Sequence, residues 1–301
     1  MSNNDLQQAL RAIGFKGSVR RNVPMHTMTS FRIGGPARYL LFPADRTDMH
    51  RLLTLFEARG LSCRMLGNGT NLLVADEGVP YPLIRLTRGF VELRRDTTMV
   101  QAEAGAPLHA LLRFCAREGL SGLEPLAGIP GTVGGSIRMN AGSWGTEVAD
   151  VLSSVNVITP SGEATTMQRH EINATYRDIG LSHRHIILWG MFSLRPADPA
   201  AIRRSLREFH HRKRNTQPLT LPSPGCIFKN PPGTSAGKLI DEAGGKGLRK
   251  GDAMVCPLHA NFIVNAGAAQ ARDVMDLIDT IRDRVFRVHG ITLELEVEIL
   301  T

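Results

Sequence analysis

No stretch of this chain approaches the ~18 consecutive apolar residues of a membrane-crossing helix. Its N-terminal MSNNDLQQALRAIGFKG lacks the unbroken apolar core of a secretion signal, so a soluble cytoplasmic protein is expected. Cysteine is scarce: Cys63, Cys115, Cys226 and Cys256 are far apart. With no CxxC and no Cys/His ligand spacing, neither a zinc site nor a disulfide framework is expected, and no metal is assigned. Aromatic residues make up only 5%, too few for a base-stacking platform. No Gly-Lys-Ser/Thr closes a Walker loop and no GxGxxG marks a dinucleotide turn. Internal repeats and low-complexity tracts are missing too.

What is present begins with size. A chain of 301 residues, 42% hydrophobic and 21% charged, is ordinary globular material for two or three compact units. The formal net charge of +8 suits an anionic ligand or nucleic acid. Most basic residues are scattered, however, and the one dense run, Arg203 to Arg214, fits a helix with a solvated basic face. Glycine is unevenly placed: Leu126 to Gly142 (LAGIPGTVGGSIRMNAG) holds five glycines in seventeen residues. Such a backbone turns sharply and lets a ligand approach its amides. A second amide-rich turn, Gly67-Asn68-Gly69-Thr70-Asn71, lies earlier. Two such loops, with Asn140 beside them, suggest a pyrophosphate held from both sides.

Residue periodicity predicts a short amphipathic helix through Leu6, Leu10 and Ile13, ended by Gly14. Strand-like Tyr39 to Phe42 precedes a helix over Asp48 to Arg59, capped by Asp45 and stopped by Gly60. Cys63 to Leu66 reads as a strand delivering the second glycine turn. Short strands are expected at Leu83 to Leu86, Val91 to Leu93 and Met99 to Gln101, then a helix from Pro107 to Gly119 with Leu108, Leu111, Leu112 and Cys115 inward. Val151 to Thr159 and His185 to Leu194 read as strands. Two prolines at Pro196 and Pro199 mark a boundary. Beyond it come the basic helix Ala200 to Asn215, a helix from Ala236 to Ala243, a strand at Phe262 to Val264, a long helix from Ala269 to Val288, and an alternating strand from Thr292 to Ile299.

Several motifs occur in one order: LGNGTNLL at 66–73, AGIPGTVGG with MNAG at 127–142, Tyr176-Arg177, PSPGCIFKNP at 222–231, AGKLIDEAG at 236–244 and LELEV at 293–297. In this the chain resembles the UDP-N-acetylenolpyruvoylglucosamine reductases, the MurB family, over nearly its whole length. The resemblance implies an α+β protein with an FAD-binding fold of the vanillyl-alcohol-oxidase type in two subdomains, plus a C-terminal α+β substrate domain. On this basis the chain divides into an N-terminal helix (1–20), FAD-binding subdomains at 21–83 and 84–198, and a substrate-binding domain at 199–301. It also implies bound FAD, NADPH as hydride donor, and UDP-N-acetylglucosamine enolpyruvate as substrate, reduced to UDP-N-acetylmuramate for peptidoglycan precursors.

Carried onto this sequence, the family's cofactor contacts fall on Asn68, Gly69, Thr70, Asn71 and Leu72, on Gly128, Ile129, Pro130, Gly131, Thr132, Gly134 and Gly135, and on Asn140, Ala141 and Gly142. Hydride delivery to C3 of the enolpyruvyl group leaves negative charge spreading from C2 into the carboxylate, which calls for a cation. Arg177 is that candidate, with a fork that can grip a carboxylate bidentately. Cys226 stands where family members carry serine or cysteine, and a neutral thiol can donate the proton that C2 needs. Glu296 matches the glutamate that works opposite the arginine. Lys213, Arg214, Lys229 and Asn230 are the candidates for the substrate diphosphate.

Three positions depart from the family pattern: Ile179 where a hydroxyl residue is frequent, Trp144 where tyrosine is common, and Glu298 at a commonly basic site. The last tyrosine is Tyr176, so the lid tyrosine of longer members has no counterpart and the chain looks like the shorter, type II form. Two other readings stand beside this one: a different flavin oxidase on the same scaffold, against which the C-terminal motifs count, and a nonenzymatic nucleic-acid binder suggested by charge. Under the favoured reading there is no nucleic-acid partner, no membrane insertion and no obligate protein partner.

Overall fold

A computed structural model of the chain describes residues 3–159 and 162–301. Met1 and Ser2, at the start of the expected N-terminal helix, lie outside the described residues, as do Pro160 and Ser161. The chain forms two compact units, each assembled from separated segments: Met1–Arg21, Tyr39–Gly67 and Tyr81–His210 make the first, and Asn22–Arg38, Asn68–Pro80 and His211–Thr301 the second.

In the first unit, helix α1 (Asn3–Ala12) buries Leu6 and Leu10 and is followed by Gly14 at φ +65°. Helix α2 (Arg46–Ala58) begins ahead of the expected Asp48 but with the expected cap: the Asp45 carboxylate accepts the Asp48 amide at 2.8 Å, meeting one of the unpaired donors at a helix start. Met49, Leu52 and Phe56 form its buried stripe. A four-stranded sheet has the order Ser18–Pro24, Pro36–Phe42, Val79–Ile84, Arg64–Met65. Its last pair is parallel, with Arg64 opposite Leu83 and Met65 opposite Ile84. This β-α-β arrangement delivers Gly67 at a strand end, where ligands bind in such sheets.

A five-stranded antiparallel sheet follows, ordered Ala164–Gln168, Leu152–Ile158, Ile186–Ser193, Met99–Glu103, Leu93–Asp96. The strand expected at Val91 to Leu93 begins only at Leu93, since Arg88–Phe90 turns as a short 3₁₀ helix and buries Phe90. Helix α3 (Leu108–Glu118) buries Leu108, Leu111, Leu112 and Cys115 and ends at Gly119, φ +69°, the left-handed cap that glycine favours.

The glycine-rich stretch is not all loop. Its middle forms helix α4 (Val133–Arg138), capped by the Thr132 hydroxyl, which accepts the Gly135 amide at 3.2 Å. Two glycines are poor helix formers, yet packing requires one of them here: a Cβ on Gly134 would stand 2.8 Å from that of Ala104. Helix α5 (Pro199–Thr216) carries the basic run. Its face is not wholly solvated, because Lys213 is buried while Arg212 and Arg214 are exposed.

The second unit packs around Phe31, Ile33, Phe228, Ile240 and Ile263. Helix α6 (Ala236–Glu242) is capped by Ser235. A three-stranded antiparallel sheet runs Arg249–Lys250, Ala253–Val255, Ile263–Asn265. Helix α7 (Ala271–His289) buries Val274, Leu277, Ile278, Ile281 and Val285 and ends at Gly290, φ +68°. The Asp76 carboxylate accepts the amides of Ala271 and Arg272 at 2.8 and 3.2 Å.

The alternating strand expected from Thr292 to Ile299 is shorter in the structure. Only Glu298–Leu300 forms a ladder, parallel to Leu72–Val74. The preceding residues change partner: the Glu296 amide donates to the Ile227 carbonyl and the Glu298 amide to that of Asn71. Alternation reports which residues face inward and does not show that one neighbour takes all the hydrogen bonds.

Candidate active site

Within the first unit, Gly67 lies beside the glycine-rich loop: a Cβ added to it would be 3.1 Å from the Thr132 hydroxyl. The N–H groups of Gly67, Gly128, Gly131 and Thr132 donate to no acceptor among the described residues. Other amides of the stretch are spent inside the protein, Ile129 on Leu126, Gly134 on Ala104, and Ala141 on Ser136. A cluster of amide donors with no fixed charge fits the anionic diphosphate of a flavin nucleotide. The Asn140 side chain, in contrast, is turned wholly into the protein. Its Nδ2 donates to Glu147 at 2.6 Å and to the Thr175 carbonyl at 3.0 Å, and its Oδ1 accepts the Ala149 amide at 2.9 Å.

Arg177 also belongs to this unit. It adopts φ +60°, stacks over the Tyr176 ring at 4.7 Å and donates to the Gly142 carbonyl at 3.3 Å. The chain around it is held by Arg138 at the end of α4. That guanidinium donates to the carbonyls of Leu181, Ser182 and His185. Arg138 and burial together depress the His185 pKa, with burial the larger cause. Ile179, which replaces a frequent hydroxyl residue, is fully buried in the unit's core, so packing occupies that position. Trp144 is exposed, at 6.4 Å from the Phe209 ring.

In the second unit Gly69 is buried at φ +63°, and a side chain there would collide with the Met28 carbonyl. Its own carbonyl accepts the Ser30 amide at 3.0 Å, and the Ser30 hydroxyl donates to the Ser223 carbonyl at 2.7 Å. Asn71 donates through Nδ2 to the Glu296 carbonyl at 3.0 Å. Glu296 is joined in turn to the Cys226 segment: Phe228 and Leu295 form an antiparallel bridge, with Glu296 N–H to Ile227 C=O at 2.9 Å and Lys229 N–H to Glu294 C=O at 2.8 Å. Asn71, Glu296 and the residues that follow Cys226 thus share one hydrogen-bonded corner.

Asn261 completes that corner and was not singled out from sequence. Buried, it accepts the Phe228 amide at 2.9 Å and donates to the Phe228 carbonyl at 2.8 Å, while its own carbonyl accepts the Ile227 amide. Cys226 is half-buried against Cys256, Phe262 and Val264. Two other thiols are held protonated: burial raises Cys63 to about 11 and Cys115 to about 12, with Glu124 adding to the second. Of the diphosphate candidates, Lys229 pairs with Glu294 at 3.7 Å and the Asn230 side chain accepts the Ala236 amide at 3.0 Å. Lys213 is buried and Arg214 exposed. Among the described residues no Cys/His/Asp/Glu group could hold a metal ion, and no helix is long and apolar enough to cross a membrane.

Comparison with known proteins accords with this geometry. Residues 37–168 match an FAD-binding domain family and residues 217–300 the C-terminal domain of UDP-N-acetylenolpyruvoylglucosamine reductase. The UDP-N-acetylenolpyruvoylglucosamine reductase 2 of Symbiobacterium thermophilum is 45% identical over 94% of this chain and 92% of its own. The reductase of Geobacillus kaustophilus is 40% identical over 98% and 97%. The crystal structure of MurB from Thermus caldophilus superposes with a TM-score of 0.81 at 38% identity, covering 95% of this chain and 99% of that one. An alkyldihydroxyacetonephosphate synthase, 18% identical with a TM-score of 0.50 over 65% of this chain and 44% of its own, shares the flavin-binding fold alone. The fold is therefore α+β, with an FAD-binding part of the vanillyl-alcohol-oxidase type and a MurB C-terminal domain. The chain belongs to the UDP-N-acetylenolpyruvoylglucosamine reductase family, flavin-dependent oxidoreductases that use FAD and NADPH.

Proposed function

We propose that Arg177, Cys226 and Glu296 carry the chemistry of this reductase, which converts UDP-N-acetylglucosamine enolpyruvate to UDP-N-acetylmuramate. FAD, held by the two glycine-rich loops, would supply the hydride chemistry that links NADPH to the substrate. Arg177 grips the enolpyruvyl carboxylate and stays charged as negative charge develops next to it. The Cys226 thiol gives C2 its proton. Glu296 acts opposite the arginine, on the carboxylate region of the substrate or on its proton. The observation that carries this assignment is the Phe228–Leu295 bridge, which sets the thiol-bearing segment and the glutamate side by side in one unit.

The cofactor is read as held by Asn68 to Leu72 and by the loop from Gly128 to Gly142, with the Gly67, Gly128, Gly131 and Thr132 amides as the diphosphate donors. Lys213, Arg214, Lys229 and Asn230 are assigned to the substrate diphosphate. The buried ammonium of Lys213 favours a polar task, since lysine is rarely buried without one. In this reading residues 21–198 serve the flavin and 199–301 the substrate. The protein works in the cytoplasm on a nucleotide-linked sugar, without nucleic acid, membrane insertion or an obligate protein partner.

A flavin spectrum tests the reading directly. Purified protein is expected to be yellow, to bleach with NADPH and to regain colour when the enolpyruvyl substrate is added. A colourless protein whose nucleic-acid binding falls steeply with salt would overturn it.

A further inference from the structure

Arg177 stands in the left-handed region at φ +60°, a conformation that a non-glycine residue holds only when its surroundings impose it. Those surroundings are specific. A short turn is closed by Thr175 N–H to Asp178 C=O at 2.7 Å and by the reciprocal bond at 3.1 Å. Asn140, 1% exposed, grips the base of the turn through the Thr175 carbonyl at 3.0 Å. The same Nδ2 donates to a Glu147 carboxylate oxygen at 2.6 Å. Glu147 is fixed from another side by a capping box with Asp150. Its second oxygen faces Arg177 Nη1 at 4.0 Å, near enough for attraction and too far for a hydrogen bond. Gly142 makes the approach possible: a Cβ there would stand 2.8 Å from Glu147 Cγ and 3.2 Å from Arg177 Nη1.

We propose that Glu147, held in place by Asn140, is a positioning residue that sets the plane of the Arg177 guanidinium for a substrate carboxylate. The inference rests on Arg177 being the carboxylate clamp. A bidentate clamp works only when its fork lies in the plane of the carboxylate. The Gly142 carbonyl and the Tyr176 ring also touch the guanidinium, and neither carries a full charge. The Glu147 carboxylate supplies the directional pull that those two contacts lack. Asn140 transmits position to both ends of this pair at once, since one amide nitrogen serves the carboxylate and the turn.

The test uses Glu147→Gln in the FAD-loaded enzyme, a change that keeps size and removes charge. Turnover of the enolpyruvyl substrate is expected to fall about 10–100-fold, mainly in kcat, as misplacement of a catalytic group does. Phenylglyoxal labelling of Arg177, read by mass spectrometry without substrate, is expected to quicken several-fold. The double variant Glu147→Gln/Arg177→Lys should be no worse than Arg177→Lys alone, because positions acting through one group are not additive. Asn140→Asp, which loses the donor to Glu147 and Thr175, should act in the same direction if its melting temperature shows it folded; if it does not fold, Glu147→Gln decides. Wild-type kcat and labelling in Glu147→Gln, or a fully multiplicative loss in the double variant, would overturn the positioning role. Near-wild-type turnover in Arg177→Lys would instead remove the clamp itself, which separates the two failures.

Discussion

The two units hold the side chains proposed for catalysis by different means. In the first, Arg177 rides a turn whose backbone is left-handed and whose position depends on other side chains, Asn140 from one side and Arg138 through three carbonyls. In the second, Cys226 precedes a segment held through its backbone: Ile227 and Lys229 pair with the main chain of Glu296 and Glu294, and the Phe228 amide and carbonyl are bracketed by the Asn261 side chain. A charged clamp needs an exact plane, which side-chain braces can tune. Delivery of a proton needs only proximity, which a short β-bridge supplies. The difference implies that the first corner fails by losing geometry while the second fails by losing its reactive atom.

The largest effect should come from that atom. Cys226→Ala is expected to lower turnover of the enolpyruvyl substrate by about 10²–10⁴-fold, the usual worth of a general acid, while NADPH still bleaches the flavin in stopped-flow spectra. Cys226→Ser should keep partial activity, and unchanged turnover in the alanine variant would remove the thiol from the mechanism. Next comes Arg177→Lys, for which a kcat loss of about 10²–10³-fold is expected, because an ammonium cannot reproduce a planar fork at developing charge. A loss confined to KM would mean that plane matters less than the comparison holds.

Stability should separate the braces. Asn261→Ala leaves the Phe228 amide and carbonyl buried without partners, and is expected to cost about 2–4 kcal/mol in denaturant unfolding. Arg138→Ala, at a partly exposed position, should cost about 1 kcal/mol, yet slow turnover more than its stability loss explains. Equal losses of stability would erase the contrast between the two corners. The smallest effect is chemical: iodoacetamide at pH 8 should label half-buried Cys226 well before Cys63 or Cys115. Thiols raised to about 11 and about 12 hold almost no thiolate at that pH, and labelling needs the thiolate. Their reactivity should appear only as pH climbs toward those values. Rapid labelling of either in the folded protein would show that burial does not protect it.

Much of the fold was legible because it is local. The helices α2, α3 and α7 announce themselves through their period, with Asp45 and Gly119 as punctuation for the first two. Arg177, Cys226 and Glu296 stood out through their motifs, and the structure adds which of them share a unit. What stayed hidden is long-range. Nothing about Asn261 in sequence says that it will bracket Phe228, 33 residues away. Glu147 lies close to the glycine stretch, but its tie to Arg177 depends on a turn closed elsewhere. Helix α4 escaped notice because its stability comes from a threonine cap and from contact with Ala104, against the preference of its two glycines. Each of the two units is assembled from three separated segments, an interleaving that local pattern does not encode.

The bond from Asn71 to Glu296 has a kinetic side. It joins positions 225 apart, and the parallel pairing of Leu72–Val74 with Glu298–Leu300 spans a similar distance. Closing so long a loop costs chain entropy before any contact returns it, and topologies dominated by distant pairings fold slowly. The second unit should therefore finish late in refolding, with hydrogen-exchange protection of Glu296 and Glu298 arriving after that of α7.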